Sequence, residues 1–230
     1  HMGTAENSHI IFFTFSPVYI TIKSKNRNTS KEKMTEREKR DLGLWYDANY
    51  DPELLEERMQ AEDLCFAFNH TAPRDAEKQN KILEELLAQH GRDSAVLAPF
   101  NVDYGYNCRI GDNTFVNHYA YFMDCAPITI GKYCFIGPYC GMYTAIHPLV
   151  AEERNQGLEI AKPITVGDNV WIGANVTILP GVTIGEGSVI GAKSVVTKDI
   201  PANVLAMGNP CRVIREITEA DRIQKEKFHV

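Results

Sequence analysis

The chain has 230 residues, of which 44% are hydrophobic and 23% charged, and its formal net charge is -6. This composition is ordinary for a soluble globular protein with one large domain or one domain plus an attachment. The negative charge argues against a general nucleic-acid binder, and no apolar run reaches the roughly 18 residues of a membrane-spanning helix. The six cysteines lack metal-type C-x-x-C spacing, which favours reduced thiols in a cytoplasmic protein.

The first residues differ in character from the rest of the chain. His1-Met2 resembles an expression scar, the stretch 23–33 is polar and basic, and Met34-Thr35-Glu36 reads like a natural start. We therefore expect residues 1–33 to be either a tag or an N-terminal extension.

Residues 34–94 have a helical pattern. Asp51 followed by Pro52 is typical of a helix start, with a capping side chain and a proline in the first turn. A second helix is predicted from about Asp75 to Gln89, with Gly91 as its stop signal. We expect these helices to cap one end of the region that follows.

Residues 95–217 are organised by a period of six. An aliphatic residue recurs at Val166, Ile172, Ile178, Ile184, Ile190 and Val196. Earlier in the chain the series is Ile110, Val116, Phe122 and Ile128, and it then shifts by two to Ile130, Ile136 and Met142. Small residues follow four positions later, among them Cys134 and Cys140. Neither a helix nor one long strand has this period, which predicts a solenoid of very short strands joined by tight bends.

The series breaks once, over residues 143–163, and the polar sequence there predicts a loop leaving the solenoid. His147 stands at the root of this loop. Imidazole titrates near neutrality and can take a proton from a hydroxyl, so His147 is the candidate general base. Glu152, Glu153 and Glu159 share the loop, and any one of them can orient the imidazole as the carboxylate of a catalytic triad does. A charged helix is predicted over 218–230.

Several motifs together resemble a known family. They are Ile146-His147-Pro148, the run from Pro163 to Gly173, and Gly208-Asn209-Pro210-Cys211-Arg212-Val213-Ile214, together with Trp45-Tyr46-Asp47-Ala48-Asn49 and Phe68-Asn69-His70. These motifs and the hexads resemble the maltose and galactoside O-acetyltransferases, which are hexapeptide-repeat acyltransferases. The similarity covers about Thr35 to Ile217.

The resemblance implies a mainly β protein built as a left-handed parallel β-helix, with an N-terminal helical cap and a short C-terminal helix. It implies a homotrimer that transfers an acetyl group directly from acetyl-CoA to a sugar hydroxyl, without a metal. His147 matches the family's catalytic base. The candidate acceptor-binding residues are Asp47, Asp103, Asn117 and Asp124. Asp103 stands where the galactoside enzymes have a serine, and Cys125 where they have a second acidic residue, so the acceptor is left open among maltose, glucose, a galactoside and other hydroxyl compounds.

The same resemblance implies a channel for coenzyme A. The matching positions are Trp171, Ala174, Ala192, Thr197, Lys198, Arg212 and Arg215. Small residues suit the thin pantetheine arm, and the basic side chains suit its phosphates.

Two other functions compete with acetyl transfer. Carbonic anhydrases of the γ class share this solenoid and bind zinc through three histidines, whereas only His118 and His147 lie near the coils here. A non-catalytic trimeric scaffold would keep the solenoid and bind no acetyl-CoA. Within the acyltransferases, a covalent relay through Cys125 or Cys140 is a further alternative.

Overall fold

A computed structural model describes residues 33–223 of the chain. The predicted tag or extension therefore falls almost entirely outside the described residues, as does the part of the predicted C-terminal helix from residue 224 onward. In its described part that helix is limited to a 3-10 turn at Glu219–Asp221. Over the described range, no helix is long and apolar enough to cross a membrane.

The helices lie at the N-terminal end and in the loop: α1 Glu36–Asp41, α2 Pro52–Asn69, α3 Ala76–Leu86 and α4 Ala151–Arg154. Helix α1 begins with a capping box, in which Thr35 accepts from the Glu38 amide at 3.1 Å and Glu38 accepts from the Thr35 amide at 2.8 Å. Helix α2 begins at the predicted cap, where Asp51 Oδ1 accepts from the Leu54 amide at 3.0 Å.

The strands are short, as a period of six requires. In chain order they are β1 Tyr46–Asp47, β2 Gln89–His90, β3 Ala95–Val96, β4 Phe100–Val102, β5 Cys108–Ile110, β6 Phe115–Val116, β7 Ala120–Met123, β8 Ile128–Ile130, β9 Phe135–Ile136, β10 Gly141–Tyr143, β11 Ala145–Ile146, β12 Leu158–Ala161, β13 Ile164–Val166, β14 Trp171–Ile172, β15 Thr177–Ile178, β16 Thr183–Ile184, β17 Val189–Ile190, β18 Val195–Val196, β19 Val204–Met207 and β20 Arg212–Glu216.

These strands form three parallel sheets that make the faces of a prism. Face 1 contains β2, β5, β8, β13 and β16; face 2 contains β3, β6, β9, β14, β17 and β19, with β20 antiparallel at its edge; face 3 contains β4, β7, β10, β15 and β18. The chain passes from face 1 to face 2 to face 3 in each coil. The solenoid of short strands predicted from the hexads and the parallel β-helix implied by the family resemblance are therefore confirmed.

The hexad residues fill the interior of the prism. Ile110, Phe122, Ile172 and Ile190 are each 0% exposed. Each fully buried aliphatic side chain stabilises the fold by roughly 1.5–3 kcal/mol, so the stacked columns account for the solenoid. Cys134 and Cys140, which follow the aliphatic hexad positions by four residues, are buried in the same interior.

The coils differ in length, and the difference is local. The coil that leads from Ile110 to its stacked partner Ile130 is two residues longer than the coil from Val166 to Ile184. The additional residues lie where face 3 turns into face 1, a position we call corner 3–1. The shift in the sequence pattern at Ile128 and Ile130 thus marks an enlarged corner.

The solenoid begins earlier than expected, and Gly91 has a different role from the predicted helix stop. Helix α3 ends at Leu86, and Gln89 already pairs with Arg109 of the next coil. A Cβ on Gly91 would lie 2.4 Å from the backbone carbon of Gly111 in the adjacent coil. Gly91 is therefore needed for close stacking of the first bend on the second.

The loop between β10 and β13 carries its own structure. Strand β12 pairs antiparallel with β11 on one side and with β1 on the other, and α4 lies between β11 and β12. The resulting three-stranded sheet ties the N-terminal segment to the loop, which hexad periodicity alone does not reveal.

Candidate active site

The predicted general base lies in the small sheet at corner 3–1. Ile146 pairs with Ile160 and Asp47 pairs with Leu158, so that His147, Glu159 and Asp47 come together although 100 residues separate Asp47 from His147 in the chain. The His147 side chain is 45% exposed, whereas the Glu159 side chain is 8% exposed. The base therefore faces solvent over a buried carboxylate.

The contacts of His147 define its tautomer. Nδ1 lies 3.0 Å from the carbonyl oxygen of Leu158. A carbonyl can only accept, so Nδ1 carries the proton and Nε2 of the neutral ring keeps its lone pair. Nε2 lies 3.7 Å from Glu159 Oε2, which is longer than a hydrogen bond. The lone pair is thus open to an incoming hydroxyl, and a proton gained there is stabilised by the nearby carboxylate.

Glu159 is held from its other side by Tyr46. The Tyr46 hydroxyl donates a short hydrogen bond to Glu159 Oε1, and the tyrosine is fully buried. Burial, together with the neighbouring Cys125 and Glu159, raises the pKa of Tyr46 far above its ordinary value, so it remains a donor. Of the three glutamates considered for orienting the imidazole, Glu159 lies beside the ring on its Nε2 side, whereas Glu152 and Glu153 lie exposed on α4. The Nδ1 proton is held by the Leu158 carbonyl and not by a glutamate.

Asp47, a predicted acceptor contact, sits beside this group on β1. Its Oδ1 accepts from the amides of Asn49 at 3.1 Å and Tyr50 at 2.9 Å. Those bonds fix the half-buried Asp47 carboxylate on the three-stranded sheet, opposite Gly157. A Cβ on Gly157 would lie 2.8 Å from Asp47 Oδ1, so glycine is required there.

Asp103 and Cys125 occupy the enlarged corners of the two preceding coils. Tyr121 donates a short hydrogen bond to Asp103 Oδ1, and the Cys125 thiol donates to Asp103 Oδ2 at 3.6 Å. Asp103 also lines an open cavity of about 450 Å³ beneath α2, shared with Arg58, Asn101 and Tyr121. Asp103 therefore offers a carboxylate toward a polar hollow on the same corner as His147.

Asp124 is placed differently from the other candidate acceptor residues. It is 0% exposed, and its carboxylate accepts from the backbone amides of Tyr104 at 2.8 Å, Asp103 at 3.1 Å and Asn107 at 3.2 Å. These bonds leave it without a surface for a ligand. The structure thus corrects the expectation for Asp124, which secures the enlarged turn that carries Asp103.

The cysteine chemistry does not favour a covalent relay. Burial, with the carboxylates of Glu159 and Asp103 close by, raises the pKa of the Cys125 thiol well above its ordinary value. Burial raises the pKa of Cys140 to about 11, and its sulfur donates to the Gly173 carbonyl at 3.1 Å inside the prism. A nucleophilic cysteine needs the opposite shift, toward thiolate.

A second candidate surface lies where face 2 turns into face 3, which we call corner 2–3. An apolar groove of about 550 Å³ runs there, lined among others by Asn117, Phe135, Trp171, Ala174, Ala192 and Leu205. Trp171 is 57% exposed and stacks in register between Phe135 and Val189. The structure thus brings together three of the predicted coenzyme A residues and Asn117.

The remaining predicted coenzyme A residues are divided between two places. Thr197 and Lys198 are exposed at corner 3–1, further along the prism than His147, whereas Arg212 and Arg215 lie on β20 beside face 2. Arg215 forms a bidentate ion pair with Asp221, with N–O distances of 2.7 and 2.8 Å, which lowers the pKa of Asp221 to about 2. Arg212 Nη1 donates to the neutral Cys211 carbonyl at 2.8 Å. The charge of Arg215 is therefore already balanced by Asp221, which makes Arg212 the better candidate of the two for a phosphate contact.

His147 and the groove do not meet within one chain. His147, Asp47 and Asp103 belong to corner 3–1, whereas Asn117, Trp171 and Ala174 belong to corner 2–3, and the packed interior and the width of face 3 separate them.

The geometry does not support a zinc site of the kind found in γ-class carbonic anhydrases. Among residues 33–223, no three His, Cys, Asp or Glu side chains are grouped to hold a metal ion. His118 is at corner 2–3, where Nδ1 contacts the Ala98 carbonyl, and His147 is at corner 3–1.

Sequence reasoning missed the two tyrosines of the site. Tyr46 entered only as a member of the Trp45–Asn49 motif, without a role, and Tyr121 belongs to none of the motifs. The hydrogen-bond partners of both are distant in the chain. Tyr121 lies on β7, where it pairs with Asn101, so the lengthened corner that follows this strand gives no signal for it.

Two family models match the chain. The maltose acetyltransferase hexapeptide capping motif matches residues 41–91, and the bacterial transferase hexapeptide model, with six repeats, matches residues 163–198. The first covers the helices that cap the solenoid and the second covers its most regular coils.

Relatives and solved structures match this chain over almost their full length. A candidate acetyltransferase of Staphylococcus haemolyticus (strain JCSC1435) is 56% identical over 188 residues, which are 82% of this chain and 98% of the relative. A maltose O-acetyltransferase structure from Clostridium difficile 630 is 46% identical with a TM-score of 0.78, over 81% of this chain and 99% of that one. A galactoside acetyltransferase in complex with coenzyme A is 41% identical with a TM-score of 0.79, over 82% and 94% of the two chains.

The fold and the two matched models define a hexapeptide-repeat acetyltransferase. Within that class, the chain belongs to the maltose and galactoside O-acetyltransferase family, as its sequence motifs had indicated.

Proposed function

We propose that this chain transfers an acetyl group from acetyl-CoA to a hydroxyl of a sugar such as maltose, glucose or a galactoside, with His147 as general base. The observation that carries the proposal is the arrangement of His147. Its Nδ1 is committed to the Leu158 carbonyl, so that Nε2 is free and exposed.

The reaction follows from that arrangement as a direct transfer. His147 Nε2 takes the proton of the acceptor hydroxyl while the hydroxyl oxygen attacks the thioester carbonyl carbon. The carbon–sulfur bond then breaks, and the coenzyme A sulfur receives the proton back from the imidazolium. Glu159, at 3.7 Å from Nε2, stabilises the imidazolium between these two steps.

The acceptor would bind at corner 3–1. Asp47 lies on the same small sheet as His147, and Asp103 lies at the same corner of an earlier coil. Both would offer carboxylate oxygens to sugar hydroxyls, which suits a polyol. Coenzyme A would bind along the apolar groove, where Trp171, Ala174 and Ala192 form a smooth wall for the pantetheine arm. The galactoside acetyltransferase of the same fold was solved with coenzyme A, which supports this class of ligand.

The separation of the two corners favours a trimer. Corners 3–1 and 2–3 are the two edges of face 3, so a closed ring of three prisms with face 3 inward would bring corner 3–1 of one chain to corner 2–3 of the next. Each site would then combine His147 of one chain with Asn117 and Trp171 of a neighbour.

The first test is the assembly in solution. Light scattering at micromolar concentration is expected to give about three times the 25.9 kDa mass of one chain. A monomer mass would contradict a site shared between chains.

The decisive test is thiol release from acetyl-CoA in the presence of a sugar panel containing maltose, glucose and a galactoside. We expect coenzyme A to be released in step with the acetylated sugar. Acetyl-CoA binding without transfer to any hydroxyl would contradict the enzyme, and absence of binding would favour the scaffold.

Coenzyme A affinity is expected to depend on basic side chains and on salt, because phosphates bind them through charge. The double substitution Lys198→Ala with Arg212→Ala should raise the KM for acetyl-CoA about tenfold or more while the KM for the sugar changes little. Arg215→Ala is the matched control, expected to be milder because Asp221 already balances its charge. Equal weakening of both substrates would show that the phosphates bind elsewhere.

A further inference from the structure

One guanidinium on helix α2 joins the two segments that carry the proposed acceptor contacts. Arg58 Nη2 donates to the carbonyl oxygen of Ala48 at 2.6 Å, and Arg58 Nη1 donates to the hydroxyl of Tyr104 at 2.8 Å. Ala48 directly follows Asp47 in the chain, on the small sheet. Tyr104 directly follows Asp103, in the enlarged turn of an earlier coil. The Arg58 side chain therefore bridges the segment of Asp47 and the turn of Asp103.

The Ala48 peptide extends this connection to the loop that carries the proposed base. Its amide donates to the Gly157 carbonyl at 3.0 Å, while its own carbonyl accepts from Arg58. Gly157 directly precedes β12, where the Leu158 carbonyl holds His147 Nδ1. Arg58 is thus bonded to the same small sheet that orients His147.

The other end of the bridge is firmly packed. Tyr104 is 3% exposed, and burial raises the pKa of its hydroxyl to about 12, so the hydroxyl stays neutral. The Arg40 guanidinium lies over the Tyr104 ring, 4.7 Å from its centroid. The Tyr104 amide donates to the Asp124 carboxylate at 2.8 Å. Because the turn of Asp103 is held by these contacts, Arg58 is bonded to a fixed point.

An arginine suits these two partners better than a lysine would. The guanidinium is planar and presents separate N–H groups, so one side chain donates in two directions at once, whereas a lysine ammonium is a single point of charge. Ala48 and Tyr104 are both buried, at 2% and 3% exposure. A buried polar group that loses its donor is costly, so the bridge has a strong preference for staying closed.

We infer that Arg58 is a positioning residue for the acceptor, whose guanidinium fixes the separation of Asp47 and Asp103 so that one sugar meets both carboxylates. Both terminal nitrogens of the guanidinium are bonded to protein groups, so the residue acts through Ala48 and Tyr104. This inference rests on the proposed function and adds to it a residue on the helical cap that holds the acceptor contacts in place.

The first test separates the bridge from its charge. Arg58→Ala is expected to raise the KM for the sugar about tenfold, the effect of losing hydrogen bonds from a charged group, while the KM for acetyl-CoA changes little. Arg58→Lys keeps the positive charge but cannot donate to both partners. Its KM for the sugar should therefore stay within about threefold of that of Arg58→Ala. Recovery of the wild-type KM by lysine would show that charge alone matters, and the inference would be wrong.

Tyr104→Phe removes one end of the bridge and leaves the ring in place. It should raise the KM for the sugar roughly threefold in the wild type and add almost nothing when Arg58→Ala is already present. If Arg58→Ala raises this KM while Tyr104→Phe does not, the guanidinium contacts the sugar itself and the positioning role is wrong.

Tyr106→Phe is the matched control for that substitution. Tyr106 belongs to the same turn, and its hydroxyl also accepts from an arginine, Arg40, at 2.8 Å. The other hydrogen bonds of Arg40 go to Asp41 and not to the segment of Asp47. Tyr106→Phe should therefore leave the KM for the sugar unchanged. An increase equal to that of Tyr104→Phe would show that any loosening of the turn has this effect, which would contradict a specific bridge.

Amide hydrogen exchange tests the bridge without turnover. In Arg58→Ala and in Tyr104→Phe, residues 46–50 should exchange faster, because the Ala48 peptide loses its support, whereas the interior strands around Ile172 should keep their protection. Unchanged exchange over residues 46–50 in both variants would overturn the inference. A wild type that acetylates no hydroxyl would instead contradict the proposed function, while the exchange result on the bridge would still stand.

Discussion

Replacement of His147 by alanine is expected to lower kcat by about 10²- to 10⁴-fold, the usual contribution of a positioned general base. The KM for acetyl-CoA should change little, because the proposed partner of the imidazole is the acceptor hydroxyl and not the pantetheine arm or the phosphates. The melting temperature should stay close to that of the wild type, since the imidazole is 45% exposed and outside the interior. Steady-state kinetics and thermal unfolding measure these three quantities.

The pH dependence provides a second readout of the same residue. A protonated imidazole cannot accept the hydroxyl proton, so the wild-type rate should fall as the pH is lowered. The residual rate of His147→Ala should lose that dependence. His118→Ala is the matched control, because His118 is also exposed near the coils but sits at corner 2–3. A variant without His147 that keeps most of its kcat, or a larger loss on replacing His118, would mean that the base is misassigned.

The sequence alone was sufficient to predict the solenoid because each coil contacts only its neighbours. A residue such as Ile172 points inward because of its position in the hexad, and no long-range information is needed to place it. The same locality identified His147, since it stands where the series breaks. The family motifs then supplied the expected roles of Asp47, Asn117 and Trp171.

The rest of the site required contacts that the period does not encode. Tyr46 reaches Glu159 through an antiparallel pairing across more than 100 residues, and hexads carry no trace of that pairing. Asp124 was misjudged because a carboxylate that binds backbone amides and one that binds a ligand look alike in sequence. Gly91 was taken for a helix stop because glycine serves both at helix ends and at solenoid bends.

The two extra residues of the longer coil were visible in the sequence, but we interpreted them only as a shift of the hexad series. In the structure the added residues form the enlarged corners that carry Asp103 and Cys125. An irregularity in a repeat protein therefore deserves the same weight as the regular repeats when a site is sought.

Phe122→Ala is expected to produce the largest loss of stability among these substitutions. Phe122 is 0% exposed, lies in register between Val102 and Met142 of the adjacent coils, and meets the Phe100 ring edge-on at 5.2 Å. Truncating such a phenylalanine removes its burial and leaves a cavity, which typically costs about 3–5 kcal/mol in the free energy of unfolding. Denaturant unfolding at fixed protein concentration measures this, since assembly makes stability depend on concentration.

Phe66→Ala is the control for that experiment. Phe66 is 64% exposed on α2 and stacks on His70 with ring centroids 4.0 Å apart, so its removal should cost less than about 1.5 kcal/mol. If the two substitutions destabilise the protein equally, the interior of the prism is not what holds the coils together. If Phe122→Ala lowers acetyl transfer under conditions in which the chain stays folded, the placement of Cys125 depends on the adjacent core, because Phe122 precedes Cys125 by only three residues.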